Sequence, residues 1–303
     1  MLTDTTSGVL KGLERDGVVV LPNFLSPNQL QRMKIAFDAR LRHVRWNDID
    51  GYEKERFRHV IEDVLTLDQG FLDAALHPLV KETLREYVGE RYQLVEAKGW
   101  RSLPTRRNFH GWHGDAWYEQ TKLNFIPCEA KLAVYLTDVQ SGFFEYVKES
   151  HRKQAPHPVP DRQLHDIPAS MIVQVKGPAG TGFLFDTSGI HRQTVPILEA
   201  RSAVFYNYHD ASVPLQKEDV VYYRYHPLLL NAAFLGNLSA EECRILGFGD
   251  QRNYFHAFSR RQKYPRLQGT FEAVLDATVA WNSLRERAAA RLKRGLRSAR
   301  LVG

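Results

Sequence analysis

Apolar positions follow two kinds of rhythm along the chain. After Gly17 the run Val18-Val19-Val20-Leu21 is apolar and mostly β-branched, and Pro22 ends it, which predicts a short strand. Ser26-Pro27 then offers an N-cap followed by proline at the first helical position. Leu30, Met33, Phe37, Leu41 and Val44 follow at three- and four-residue spacing, the buried face of an amphipathic helix. A second helix is predicted over 78–88, with Leu79, Val80, Leu84 and Tyr87 inward and Gly89 as its stop. From 92 to 209 the rhythm changes to short alternating or apolar runs, at 92–97, 131–136, 143–147, 171–175, 182–185, 191–195 and 202–208, separated by Gly and Pro. Short strands with turn residues between them predict a sandwich or jelly roll rather than alternating strand–helix units. Ser239-Ala240-Glu241-Glu242 has the form of a capping box, and a long helical pattern starts near Phe271. With no internal repeat or low-complexity linker, the expectation is one mainly-β domain over 1–270, its core at about 92–209, carrying helical additions at both ends and a helical tail over 271–303.

Composition adds little to this except at the C-terminus. A hydrophobic fraction of 43% and a charged fraction of 25% over 303 residues suit a globular chain with a sizeable core. No run approaches the length needed to cross a bilayer, and the first residues have neither the basic nor the apolar region of a signal peptide. Cys128 and Cys243 make no disulfide framework, so a reduced, cytoplasmic setting is expected. Seven of the 41 basic residues but one of the 35 acidic ones fall at or beyond Arg285, so the net +6 resides in the tail and the body is neutral. Trp281, Leu284, Ala288, Leu292 and Leu296 line one side of that helical pattern. It suits a helix lying on an anionic membrane surface, and equally a solvated basic helix. RNA would be served almost as well, but no nucleic-acid-binding motif accompanies the tail and no nucleic-acid partner is expected.

The stretch Asn108-Phe109-His110-Gly111-Trp112-His113-Gly114-Asp115-Ala116-Trp117-Tyr118 carries candidate chemistry. In extended backbone, residues two apart share a face, so His113 and Asp115 can reach one metal ion past the uncrowding Gly114. Imidazole plus carboxylate suits Fe(II), and a second histidine would complete a facial triad with coordination positions left open. Among 12 histidines a His-x-Asp arises readily by chance. A second cluster singles this one out. The apolar run 182–185 ends in the polar turn Asp186-Thr187-Ser188-Gly189 and delivers His191 at the start of the next run. Arg201 opens the run after that, where its planar fork can bind a carboxylate.

These residues and their surroundings resemble the phytanoyl-CoA dioxygenase family of iron(II)/2-oxoglutarate oxygenases over most of 13–209. Residues 13–25 are similar to the family's N-terminal strand and following helix. Trp112-His113-Gly114-Asp115 matches its first two iron ligands, and residues 142–151 resemble its Gly…Val…Ser-His segment. Residues 185–191 match the distal ligand region, and Arg201 falls where the carboxylate-binding arginine belongs. The resemblance implies a double-stranded β-helix, a cupin-like jelly roll, with Fe(II) held by His113, Asp115 and His191. It also implies 2-oxoglutarate as co-substrate, converted with O₂ to succinate and CO₂ as a substrate C–H bond is oxidised.

Family members often place a hydroxyl residue two positions after the distal histidine to help hold 2-oxoglutarate; Gln193 stands there instead and is the candidate helper. Halogenating relatives replace the iron-binding carboxylate with a small residue; Asp115 favours hydroxylation or desaturation. Lys131, on a strand expected to cross the barrel, is a further candidate for co-substrate binding. Competing assignments are His110 as ligand in place of His113, a structural hydrogen bond for His151, a turn cap for Asp186 and an ordinary salt bridge for Arg201. Trp112, Trp117 and Tyr118 serve as core or as substrate wall. The basic tail suggests a substrate at a membrane, with the protein peripheral on the inner face of the cytoplasmic membrane. One subgroup resembling this arrangement in outline is the Kdo hydroxylases, which oxidise a sugar of bacterial lipopolysaccharide. The alternatives are a soluble hydroxylase of an acyl thioester or secondary metabolite, and a non-catalytic jelly-roll binding module.

Overall fold

The structure is a computed structural model that describes residues 5–42, 57–118, 122–156, 158–248 and 256–259, together with 277, 281, 284, 285 and 288. In chain order its elements are α1 (Thr6–Asp16), β1 (Val18–Leu21), α2 (Pro27–Leu41), β2 (Arg58–Ile61), α3 (Gln69–Ala75), α4 (Pro78–Tyr87), β3 (Tyr92–Ser102), β4 (Ala130–Tyr135), β5 (Val139–Val147), α5 (Asp161–Leu164), β6 (Ile172–Gly177), β7 (Gly182–Asp186), β8 (His191–Gln193), β9 (Arg201–Asp210), α6 (Lys217–Tyr225), β10 (Leu228–Asn231), α7 (Ala240–Ile245) and β11 (His256–Ser259).

The strands form a six-stranded sheet in the order β1-β7-β4-β9-β3-β2, a three-stranded sheet β6-β5-β8, and a separate parallel pair β10-β11. Alternation decides which residues face which layer. One face of the large sheet turns Val18, Ala133, Tyr135, Phe183, Phe185 and Ala203 toward Val139, Phe144, Tyr146 and Val175 of the small sheet. The opposite face turns Leu94, Leu132, Val134, Leu184, Val204 and Tyr206 against the helices, through Leu13, Met33, Phe37, Phe71, Val80 and Leu84. Two facing antiparallel sheets with helices packed on one outer surface make the expected jelly roll.

Local signals account for most of the helix boundaries. Ser26 Oγ accepts the Gln29 N–H at 3.3 Å, and Pro27 sits in the first turn of α2. Ser239 and Glu242 close the capping box of α7 reciprocally. Val44 and most of the proposed tail fall outside the described residues. Gly17 ends α1 with φ 76°, a left-handed conformation only glycine adopts cheaply, and so turns the chain directly into β1. That helix precedes the first expected strand and was not foreseen. Nor were β2, α3, α6 and the β10-β11 pair, while β3 and β5 run longer than the apolar runs that announce them.

A candidate metal centre at the barrel mouth

The segment holding His113 joins the edge of the small sheet. His113 and His191 form an antiparallel bridge, each N–H donating to the other's carbonyl, at 3.0 and 2.8 Å. The Asp115 N–H continues the pairing to the Thr187 carbonyl at 2.8 Å. Residues 113 and 115 therefore lie extended beside the turn that carries His191. Gly114 faces the other way, where a Cβ would sit 2.6 Å from Ala155 Cβ and 2.9 Å from the Ser188 carbonyl oxygen. A side chain at 114 would push the whole segment away from the turn.

The three side chains converge, their ligand atoms all within 4.8 Å of one another. His113 Nδ1–H donates to the Gly111 carbonyl at 2.7 Å and His191 Nδ1–H to the Gly189 carbonyl at 2.9 Å. Each bond is made to the residue two positions upstream, and each leaves Nε2 turned toward Asp115, at 3.9 and 3.8 Å. Fixing the tautomer through the second ring nitrogen is how proteins orient metal-binding histidines. The His191 ring is 5% exposed and caged by Phe144, Phe185 and Tyr146. Burial, then the neighbouring His113, push its pKa down to about 3, so it stays a neutral imidazole through physiological pH. Burial alone would raise the Asp115 carboxyl, but Lys131 and the two imidazoles hold it well below the usual carboxylate range. Two imidazoles and a carboxylate are a donor set that fits a divalent ion.

Deeper in the barrel, Arg201 opens β9 with its Nε and one terminal nitrogen buried and without a hydrogen-bond partner. Its guanidinium carbon lies 5.9 Å from the Tyr135 ring centre. Gln193, two residues beyond His191, donates to Ser102 Oγ at 3.4 Å while its Oε1 is buried without a partner. Ser102 is the register partner of Arg201. Orphaned guanidinium donors beside an amide fit an anionic ligand such as a carboxylate, since leaving them unmet is costly. Lys131 is not with this group. Its Nζ lies 2.6 Å from Asp115 Oδ2.

The competing assignments separate clearly. The His110 ring is 5.5 Å from that of His113, but His110 is not in the converging set. His151 bonds the Glu14 carbonyl on α1. Asp186 caps its turn by accepting the Ser188 N–H at 2.8 Å, and it also accepts the Tyr87 hydroxyl at 2.7 Å. Trp112 lies under the Arg192 guanidinium, 4.2 Å away. Tyr118 is buried and donates to Gln154 Oε1. Trp117 walls a cleft of about 530 Å³ that opens beside Asp115 and is lined also by Gln154, Gln216 and Asp219. The cleft residues of α6 were not foreseen, nor was Asn207, which is 1% exposed with both amide atoms unpartnered. No local motif marks any of them.

Asp186 and Glu129 are buried carboxyls behind the centre. Burial pushes Asp186 up to about 7 despite its hydrogen bonds, and burial together with Asp186 pushes Glu129 well up. An unfolded aspartate titrates near roughly 3.9. The folded chain thus holds a proton on Asp186 where the unfolded chain has lost it, so stability from this group is full below the unfolded value and is lost as pH rises through 7. Asp186→Asn keeps the acceptor for the Ser188 N–H and should flatten the fall in urea midpoint between pH 5 and 7.5. An unchanged slope in that variant would refute the assignment.

A family model described as Phytanoyl-CoA dioxygenase (PhyH) matches residues 13–193. Among solved structures, HygX from Streptomyces hygroscopicus with nickel, 2-oxoglutarate and hygromycin B bound is similar with a TM-score of 0.52 at 19% identity, over 69% of this chain and 89% of that one. EctD from S. alaskensis with 2-oxoglutarate and 5-hydroxyectoine gives 0.56 at 18% identity, over 70% and 79%. SnoK, a non-heme alpha ketoglutarate dependent carbocyclase from nogalamycin biosynthesis, gives 0.57 at 18% identity, over 72% and 90%. At these identities the likeness is one of fold. No curated protein matches.

Proposed function

The chain belongs to the phytanoyl-CoA dioxygenase family, and on that premise we propose that His113, Asp115 and His191 hold its iron while Arg201, assisted by Gln193, binds the far carboxylate of 2-oxoglutarate. Membership makes it an enzyme that depends on iron and 2-oxoglutarate. The carrying observation is the convergence of two tautomer-fixed imidazoles and one carboxylate at the mouth of a barrel whose interior presents an arginine with two nitrogens unpartnered. When bound, iron and 2-oxoglutarate supply oxidising power, as 2-oxoglutarate loses CO₂ to become succinate and O₂ is reduced. The protein's own residues do the rest. His191 stays neutral in its aromatic cage, and Arg201 orients the co-substrate through its fork. The cleft beside Asp115 admits the substrate C–H bond to be hydroxylated. Anaerobic titration with Fe(II) and then 2-oxoglutarate should give the weak visible charge-transfer band of the chelate, and air should then yield succinate. A protein that forms neither is a non-catalytic binding module.

The substrate we favour is a hydroxyl-rich molecule presented at an anionic surface, such as a lipopolysaccharide sugar of the Kdo type. The cleft joins an indole wall to the carboxylate of Asp219 and the side chains of Gln154 and Gln216, groups suited to a sugar ring. Trp281 and Leu284 of the tail are 63% and 59% exposed. Among the described residues no helix is long and apolar enough to cross a membrane, so attachment would rest on the surface. Each basic side chain near anionic lipid contributes about 1 kcal/mol, and the tail carries seven. Full-length protein should co-sediment with anionic vesicles at low salt and release as salt rises, since screening acts within roughly 8–10 Å. A chain ending at Ala280 should keep its 2-oxoglutarate turnover and lose the vesicles. Indifference of the full-length protein to vesicles favours the second reading, a soluble hydroxylase of an acyl thioester or secondary metabolite. HygX with its bound hygromycin B and SnoK of nogalamycin biosynthesis lend support to that reading.

A further inference from the structure

We propose that Lys131 is a positioning residue for the metal centre, holding one oxygen of Asp115 so that the other is presented to the ion, and is not an anchor for the co-substrate. The inference rests on the assignment of His113, Asp115 and His191 as the metal ligands.

The placement follows from strand register. Lys131 lies on β4 between Phe185 of β7 and Asn207 of β9, and its side chain is 16% exposed. Its ammonium reaches Asp115 Oδ2 at 2.6 Å and lies 5.2 Å from the Trp117 ring centre, so an indole and a carboxylate fix its direction. Among the described residues Asp115 is otherwise held through its backbone, by its N–H to Thr187 and by Gln154 Nε2 donating to its carbonyl at 2.9 Å. Its carboxylate would be free to turn about the side-chain bonds but for Lys131. With Oδ2 engaged, Oδ1 keeps its lone pairs toward His113 Nε2. A carboxylate gripped on one oxygen would offer an ion one ligand atom, which would leave room there for a chelating 2-oxo acid.

The same register separates Lys131 from the co-substrate end. Its partner Asn207 stands six residues along β9 from Arg201, roughly 20 Å at about 3.3 Å per residue. The Lys131 ammonium therefore meets the triad, while Arg201 lies farther along β9, where the far carboxylate of a chelated 2-oxoglutarate would be held.

Ni(II) binding to metal-free protein, measured by calorimetry, tests the assignment, with thermal denaturation reporting that each variant is folded. Lys131→Met should weaken Ni(II) about 10–100-fold, the usual cost of removing an outer partner of a metal ligand. Lys131→Gln keeps an N–H donor without the charge and should recover most of that loss. At saturating metal, both variants should bind 2-oxoglutarate with nearly wild-type affinity. If Lys131→Met fails to fold, the Gln variant decides alone, by near-wild-type affinity for both ligands. Ni(II) binding by the Met variant as tight as wild type, or tighter, overturns the proposal. So does a Gln variant as weak as a folded Met one, or a loss confined to 2-oxoglutarate affinity, which would make Lys131 a co-substrate anchor after all. Wild-type protein that takes up no Ni(II) would instead overturn the metal centre itself, and this inference with it.

Discussion

His191→Ala and His113→Ala are each expected to abolish turnover and to lose Fe(II), while His110→Ala keeps both. Two protein ligands cannot retain a labile divalent ion, so affinity should fall by more than the roughly 10–100-fold that an outer-shell loss costs. The two variants should differ in stability. His191 is buried among Phe144, Phe185 and Tyr146, and its removal leaves a hole in the interlayer core, a deletion of the kind that costs about 2–5 kcal/mol. The His113 side chain is more open, at 12% exposure, and its truncation leaves less unfilled space. Metal content after anaerobic reconstitution, set beside urea denaturation of the metal-free proteins, checks both statements. Iron retained by His113→Ala and lost by His110→Ala would shift the ligand position from 113 to 110 and end the present assignment.

Arg201→Ala is expected to leave iron binding largely intact and to raise the 2-oxoglutarate requirement. A charge-assisted bidentate contact is worth on the order of 1.5–3 kcal/mol, or roughly ten- to a hundredfold. Arg201→Lys should recover part of this, since an ammonium cannot reproduce the planar fork. The guanidinium is 5% exposed with two nitrogens unmet, and burial lowers its pKa. In the absence of co-substrate it is therefore a buried charge compensated in part by the Tyr135 hydroxyl alone among the described residues. The alanine variant should lose little stability without 2-oxoglutarate and should forfeit the stabilisation that 2-oxoglutarate gives the wild type. Two measurements, the concentration dependence of succinate formation and the ligand-induced shift in melting temperature, must move together. An unaltered 2-oxoglutarate dependence would place the anchor elsewhere. Two other candidate cations are already engaged, Arg192 with Glu145 at 2.7 Å and Lys131 with Asp115.

What could be read from the chain is what depends on neighbours in sequence. The runs that became β1, β4 and β7 are largely buried on both faces and are apolar but for Lys131 and the closing Asp186. The His-x-Asp pair and the turn before His191 are local, and their geometry follows from extended backbone. Helix α1 escaped notice because only Val9 and Leu13 of its eleven residues are buried, and Gly8 and Gly12 dilute the pattern. Helix α6 contains Val220-Val221-Tyr222-Tyr223, a strand-like string that tertiary packing holds as helix through Tyr223. With α6 unseen, the cleft wall at Gln216 and Asp219 could not be placed. Lys131 was assigned to the co-substrate because its strand was legible and its register was not. Only the pairing of β4 with β9 and β7, with the ammonium 2.6 Å from Asp115 Oδ2, places its side chain.

That strand order also bears on how the molecule comes to be. In the large sheet only β2 and β3 join without another strand between them in sequence; β1 waits for β7, β7 lies against β4, and β9 joins β4 to β3. Val18 meets Phe185 only after nearly the whole barrel has been synthesised. Closing such long loops before any contact rewards them makes folding slow, in the millisecond-to-second range rather than microseconds. His113 and His191 share that fate, because their bridge needs the β7 turn docked beside a segment far upstream. Iron cannot nucleate the barrel that binds it, and a nascent chain stalled before β9 would hold β3 and β4 with their central partner missing.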